Sequence, residues 1–332
     1  MARHLAVVGA TGAVGQEFIR VLEQREFPCE KITFLASARS AGKTLKFRNK
    51  DYTIQELKED SFKGIDVALF SAGASISRKF GPLAVQAGAV VVDNSSAFRM
   101  DPEVPLVTPE VNPEDIRKHK GIIANPNCST IIMVVPVFPL YKANRIRRIV
   151  VSTYQAASGA GYQAMLELEQ QARDFLGGKP VEKKVLPHQI AFNLFSHNSK
   201  VTETGYNEEE MKMVKETRKM FHDDAIQVTA TCVRVPVLRA HSEAINLTFE
   251  SPMPEAKARE ILAKAPGVKL VDDRAKNYFP MPLESSDQDD VFTGRIRQDI
   301  SQPDGRGIDL FVSGDQLRKG AALNAVQIAE LL

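Results

Sequence analysis

A lone cysteine, Cys128, closes the run Ile122-Ile123-Ala124-Asn125-Pro126-Asn127 and stands just before Ser129-Thr130. The apolar run reads as a buried strand, and Pro126 forces an extended or turning backbone at Asn125. Ser129 and Thr130 suit the cap of a helix over Ile131–Leu140, which Pro136 and Pro139 are expected to interrupt or end. A thiol at a helix N-terminus feels the positive end of the dipole, which favours the thiolate and hence nucleophilic chemistry. The alternative is that Cys128 is a small buried apolar residue, as most unpaired thiols are.

A second constellation is Val233-Arg234-Val-Pro236-Val-Leu-Arg-Ala-His241-Ser242. Pro236 excludes a regular central strand, and residues seven apart face opposite sides of any unbroken strand. Arg234 and His241 therefore converge only if the chain turns between them. Taken singly, His241 is one of 6 histidines, and a surface or hydrogen-bonded core role is the common one. In the charged helix from 208 to 221, Met211, Val214, Arg218 and Phe221 share one side, and Glu209, Lys212, Met213, Glu216 and Met220 the other. Glu209 and Lys212 are thus i, i+3 neighbours. They read either as a solvated ion pair of little worth or as a site for an amine and an anion.

The elements that must position these groups begin with His4-Leu-Ala-Val-Val-Gly9-Ala-Thr-Gly12-Ala-Val-Gly15, a strand entering a glycine-rich turn and then a helix with Val14, Phe18, Val21 and Leu22 on one face. Small residues there let the backbone approach a pyrophosphate at the helix N-terminus, although any tight strand-to-helix turn can use them. The next strand, Ile32–Ala36, ends in Ser37-Ala-Arg39-Ser40, where an NAD site usually places Asp or Glu. Arg39 with neighbouring hydroxyls suits the 2′-phosphate of NADP; a merely basic solvated loop is the alternative. Strands over 66–70 and 89–92 follow, separated by a helix over 77–87 expected to break near Gly81-Pro82.

Alternating strands and helices predict an α/β, Rossmann-like doubly wound parallel sheet, with ligands at the strands' carboxyl ends and Cys128 at that rim. After about residue 144 the spacing changes. A strand over 145–154 leads into Gln155-Ala-Ala-Ser158-Gly159-Ala-Gly161 and a helix over 162–176. An irregular stretch over 180–207, the helix over 208–221, and strands near 226–235, 242–249, 291–299 and 307–313 come next. An amphipathic helix over 319–332 offers Ala322, Ala325, Val326 and Ala329 for packing. The second domain therefore reads as mixed α+β, with boundaries of 1–127 plus 319–332 for the first domain and 128–318 for the second.

At 332 residues the chain is long enough for two domains, and 43% hydrophobic with 25% charged residues is ordinary globular composition. A net charge of +2, without a basic block, argues against nucleic acid or an anionic membrane as partner. Three cysteines, at 29, 128 and 232, make neither a CxxC pair nor a disulfide framework, so no metal is expected and a reducing, cytoplasmic setting is. No apolar run suits a signal peptide or a membrane span.

Together, Gly-Ala-Thr-Gly-Ala-Val-Gly, Asp93-Asn-Ser-Ser-Ala-Phe-Arg99, Asn125-Pro-Asn-Cys-Ser-Thr, Tyr154-Gln-Ala-Ala-Ser-Gly-Ala-Gly and Arg234…His241 closely resemble the bacterial aspartate-semialdehyde dehydrogenases, essentially end to end. The resemblance implies reversible conversion of L-aspartyl 4-phosphate and NADPH to aspartate 4-semialdehyde, NADP and phosphate, towards lysine, threonine and methionine. It also implies a homodimer or dimer of dimers, and a nucleotide-binding domain completed by the C-terminal helix. Carried over by motif, Cys128 is the nucleophile, His241 the acid/base, and Gln155 orients the acyl group. Arg234 holds the substrate carboxylate and Glu209 its amino group, with Glu208 and Glu210 as neighbours that a one-residue shift would select. Arg99, Asn127 and Lys212 form the phosphate site. Gly9, Thr11, Gly12, Ala13, Val14, Arg39, Ser40, Ser158, Gly159, Gln316 and Asn324 contact NADP. The rival readings are N-acetyl-glutamyl-phosphate reductase, which shares the chemistry, and a non-catalytic nucleotide-binding homologue, which should lack the cysteine or the Arg…His pair.

Overall fold

The computed structural model describes residues 4–332. The chain divides into two compact units, one running through Asn127 and resuming at Ala321–Leu332, the other Cys128–Gly320.

The first unit opens with β1 (His4–Val8), α1 (Ala13–Gln24) and β2 (Lys31–Ala36). A small hairpin, β3 (Thr44–Phe47) and β4 (Lys50–Thr53), precedes β5 (Gln55–Glu56), β6 (Val67–Phe70), α2 (Ala74–Gln86), β7 (Val90–Asp93) and β8 (Ile122–Ala124). Six strands form a sheet in the order β5-β2-β1-β6-β7-β8, and every pairing in it is parallel. Both faces are covered, and the sequence alternates accordingly. Leu5 and Val7 point into the core shared with α1, whereas Ala6 and Val8 point into the core shared with Phe80 and Ala84 of α2. Sheet order reverses beside β1, so the loops after β1 and β6 meet at the topological switch point.

The second unit runs α3 (Cys128–Ala143), β9 (Ile146–Gln155), α4 (Tyr162–Leu176), β10 (Phe195–Ser196), α5 (Glu208–Phe221), β11 (Gln227–Arg234), β12 (His241–Phe249), α6 (Glu255–Leu262), β13 (Val268–Leu270), α7 (Pro282–Ser285), β14 (Val291–Gln298) and β15 (Gly307–Gly314). Its sheet is mixed, in the order β10-β11-β9-β12-β15-β14-β13. Helices α3 and α5 lie against one face. On the other face Tyr154 remains 38% exposed, and Ser152 and Val150 alternate with buried Val151 and Thr153. After a π-helical turn over Arg318–Ala322, α8 (Leu323–Glu330) returns to the first unit and packs its alanines and Val326 into the core of β1 and α1.

Two expectations fail here. Helix α3 is continuous through Pro136 and Pro139, and α2 through Gly81-Pro82. A proline removes one intrahelical hydrogen bond, but α3 is buried almost all round, and that burial outweighs the lost bonds.

Candidate active site

Strands β11 and β12 flank β9, and the three bring Arg234, Gln155 and His241 into one line across the sheet. The parallel register sets Arg234 beside Gln155, and the antiparallel register pairing Ser242 with Tyr154 sets His241 on its other side. All three are buried. The chain turns between Arg234 and His241 as the proline requires: Val237 N–H donates to the carbonyl of Val235 at 2.8 Å, and Ala240 takes a left-handed φ of 70°.

Helix α5 brings two more groups to this line. Asn207 caps it, accepting from Glu210 N–H at 3.0 Å while the Glu210 carboxylate accepts from Asn207 N–H at 2.8 Å. Glu209 then faces inward, accepting from the Gln155 amide at 3.1 Å and from Lys212 Nζ at 2.9 Å. With the Glu209 side chain only 5% exposed, this is no solvated surface pair. The Gln155 carbonyl oxygen accepts from the Thr153 hydroxyl at 3.2 Å, so the amide is held at both ends.

The amide N–H of Ala156 donates to Nδ1 of His241 at 3.0 Å, and Nε2 has no hydrogen-bond partner among the described residues. A neutral ring accepting at Nδ1 carries its proton on Nε2. Burial, then the Arg234 charge, pull this histidine down to about 3. Burial also lowers Arg234, opposed by Glu209 and by Cys128, but the guanidinium stays charged. A Cβ on Gly159 would lie 2.8 Å from Arg234 Nη1 and 3.1 Å from His241 Nε2, so both groups converge on a spot only glycine leaves open.

Cys128 is the first residue of α3 and is half-buried. A Cβ on Gly320 would meet its Cβ at 3.0 Å, so the turn leaving β15 lies against the cysteine. Gln316, in that turn, accepts from Ala240 N–H at 2.9 Å and donates to the Ser158 hydroxyl.

In the first unit, Gly9 has φ +86°, and a Cβ there would sit 2.4 Å from the carbonyl oxygen of Ser71, across the switch point. Gly15 passes so close to Gly9 that a Cβ would lie 2.2 Å from its oxygen, whereas Gly12 has only ordinary contacts. Thr11 and Gly12 are exposed, Ala13 and Val14 partly so, and α1 has no acidic residue in its first turn. This open, uncharged helix N-terminus fits a pyrophosphate. Arg39 is exposed and Ser40 buried, with no carboxylate among residues 37–40, which suits a 2′-phosphate. Arg99 donates to the carbonyls of Asn125 and Asn94 at 2.9 and 3.0 Å. Asn324 donates to Val107 O at 3.0 Å and to Asn125 Oδ1 at 2.6 Å, bracing the loop that ends at buried Asn127.

Nine of the expected site residues thus belong to the second unit: Cys128, Gln155, Ser158, Gly159, Glu209, Lys212, Arg234, His241 and Gln316. The rest belong to the first. Sequence reasoning passed over His197, whose Nε2 lies 2.9 Å from Arg234 Nη2, and Thr153. It also passed over Glu243, fully buried two residues along β12 from His241, with neither carboxylate oxygen hydrogen-bonded. Only the alternation of β9 and β12 could have marked the last two. Among the described residues no cluster of His, Cys, Asp or Glu is arranged for a metal, and no helix is long and apolar enough to cross a membrane.

Two family models match the chain. The semialdehyde dehydrogenase NAD binding domain covers residues 4–119, and the semialdehyde dehydrogenase dimerisation domain covers residues 137–319. An aspartate-semialdehyde dehydrogenase of Synechocystis is 60% identical over 99% of this chain and 96% of its own length. That of Aquifex aeolicus is 53% identical over 100% and 98%. Among solved structures, aspartate semialdehyde dehydrogenase II of Vibrio cholerae complexed with ASA superposes with a TM-score of 0.97 at 45% identity, covering 100% of this chain and 98% of that one. The Candida albicans enzyme with NADP gives 0.77 at 27% identity, covering 100% and 98%.

Proposed function

The chain belongs to the aspartate-semialdehyde dehydrogenase family, and from that premise we propose that it interconverts L-aspartyl 4-phosphate and aspartate 4-semialdehyde, with release or uptake of inorganic phosphate, in the biosynthesis of lysine, threonine and methionine. The observation that carries this reading is the line of Arg234, Gln155 and His241 across three strands, with Glu209 and Lys212 beside it.

Cys128 supplies the nucleophile, and its place at the head of a 16-residue helix favours negative charge there. Its thiolate attacks the acyl phosphate, the carbon–oxygen bond to phosphate breaks, and a thioester remains. NADPH, when bound, supplies a hydride to the acyl carbon. The resulting oxyanion collapses to the aldehyde and expels the thiolate, so the acyl oxygen needs no net proton. A neutral imidazole carrying its proton on Nε2 stabilises that oxyanion as a hydrogen-bond donor, and this role is proposed for His241 in place of the acid/base role that the resemblance implies. The fixed amide of Gln155 orients the acyl group. Arg234 grips the α-carboxylate with a planar fork, and Glu209 takes the α-ammonium. Arg99, Asn127 and Lys212 take the phosphate.

The glycine turn from Gly9 to Val14 holds the pyrophosphate of NADP, Arg39 and Ser40 its 2′-phosphate, and Ser158, Gly159, Gln316 and Asn324 the remainder. In this reading the first unit is the nucleotide-binding domain and the second the catalytic and dimerisation domain. A second copy of the chain covers the open sheet face, where Val150, Ser152, Ala244, Asn246 and Phe311 line a shallow depression. Three cysteines with no disulfide between them suit a cytoplasmic enzyme.

The test is NADP reduction driven by aspartate semialdehyde, with and without phosphate, against N-acetyl-glutamate semialdehyde. Phosphate-dependent turnover of the first alone is expected, lost in Cys128→Ala with NADP binding retained. Preference for the N-acetylated substrate would overturn the reading.

A further inference from the structure

Arg234 has to present its guanidinium at a fixed angle, and the groups that hold it form a chain with one direction. Its Nε donates to Asn198 Oδ1 at 3.3 Å, Nη1 to the carbonyl of Ala156 at 3.3 Å, and Nη2 contacts His197 Nε2 at 2.9 Å. A guanidinium only donates, so His197 Nε2 accepts, and a neutral ring then carries its proton on Nδ1. That proton faces the Ser199 hydroxyl at 3.0 Å. The Ser199 amide nitrogen, 3.2 Å from the same Nδ1, would donate to the opposite tautomer, and the arginine decides against it.

The Ser199 hydroxyl in turn accepts from Glu209 N–H at 3.1 Å and donates to Asn207 Oδ1 at 3.3 Å. Asn207 is the cap of α5, the helix that carries Glu209 and Lys212. His197 therefore stands between the arginine on β11 and the N-terminus of α5. It sits just after β10, whose pairing with β11 puts Phe195 opposite Arg234, and His197 N–H is itself tied to the Cys232 carbonyl at 2.8 Å.

We infer that His197 is a positioning residue for the reaction: it holds Arg234 in the orientation that receives the substrate's carboxylate, and through Ser199 it locks that orientation to the helix end that receives the amino group. Burial, opposed by Glu209 and reinforced by the Arg234 and Lys212 charges, pulls His197 down to about 4, which keeps its Nε2 lone pair available to the arginine near neutral pH. The inference rests on the function proposed above.

The experiment is steady-state kinetics on the full-length enzyme with aspartate semialdehyde, phosphate and NADP. Wild-type turnover establishes the reaction itself, so the absence of turnover sinks the proposed function and not this relay alone. In His197→Ala, KM for the semialdehyde should rise about tenfold or more, with kcat within about threefold and KM for NADP unchanged. His197→Gln, which can offer Arg234 an oxygen acceptor, should recover most of the loss. In an Arg234→Lys background the same His197→Ala change should add little, because the group it positions is gone. Should His197→Ala not fold, Ser199→Ala gives the same readout with a smaller rise in KM. Unchanged KM in a folded variant, or equal damage to both KM values and kcat without recovery by glutamine, overturns the inference.

Discussion

The backbone N–H of Ala156 points at Nδ1 of His241 across 3.0 Å, and this one bond decides that the neutral imidazole carries its proton on Nε2. A proton cannot enter at Nδ1 without meeting that N–H. The ring stays neutral in the folded enzyme, with a pKa near 3, while an unfolded histidine titrates at about 6.5. Between those values the unfolded chain binds a proton that the folded one does not. Stability from this group is therefore complete above about pH 6.5 and falls as pH drops towards 3. Melting temperature measured from pH 7.5 to 4.5 should decline less steeply in His241→Asn than in wild type, by about one proton's worth of slope. Parallel curves would show that the imidazole takes up its proton at the same pH in the folded and unfolded chains.

Gly159→Ala should be severe in catalysis, with a stability loss of about 1–3 kcal/mol from crowding two buried side chains. The added methyl would press on Arg234 Nη1 and the edge of the His241 ring, displacing two groups at once. Misplacement of that kind costs on the order of a hundredfold in kcat/KM. A variant with wild-type kcat/KM for aspartate semialdehyde would mean that the two side chains do not need the positions they hold.

Cofactor choice should rest on Arg39. A charge-assisted bond is worth about 1.5–3 kcal/mol, so Arg39→Ala should weaken NADP by about tenfold or more and leave NAD little changed. Titration of both cofactors by intrinsic fluorescence quenching or calorimetry checks this, and equal losses for the two would remove the 2′-phosphate from the account.

Glu243 predicts a stability gain. Burial raises its carboxyl well above the usual range, so it folds protonated, and neither oxygen has a hydrogen-bond partner among the described residues. Above about pH 4.5 the unfolded chain releases this proton and the folded chain keeps it, so the penalty on folding grows as pH rises. Glu243→Met, close in volume and without the orphaned oxygens, should melt higher than wild type, and by more at pH 8 than at pH 5. A gain independent of pH would show that the carboxyl is ionised in the fold.

Much of this was legible from residue order, and what was not has physical reasons. The glycine turn, the α5 boundaries and the turn at Pro236 follow from local rules, because each depends on one or two residues and a short reach. Pro136 misled because local rules cannot see how thoroughly a helix will be buried, whereas Pro82 is exposed and burial does not explain why α2 runs through it. His197 lies in a stretch with no period, and its partner Arg234 is 37 residues away, so nothing nearby in the sequence announces the pair. Glu209 and Lys212 were visible as neighbours, but whether they faced water or Gln155 was settled only by which side of α5 meets the sheet.

The return of α8 to the first unit has a consequence for how the chain is made. One face of the parallel sheet buries Leu5, Val7 and Ile32 against a core that includes Leu323, Val326 and Ile328. Between Asn127 and Ala321 a ribosome must first add residues 128–320, which at roughly 5–20 residues per second takes about 10–40 s. Throughout that interval part of the first unit's apolar surface has no partner from its own chain, and the second unit has all of its residues before α8 appears. The unit that begins synthesis first is the one that finishes folding last, and its unfinished face is the place where a chaperone or a misplaced neighbour would bind the nascent enzyme.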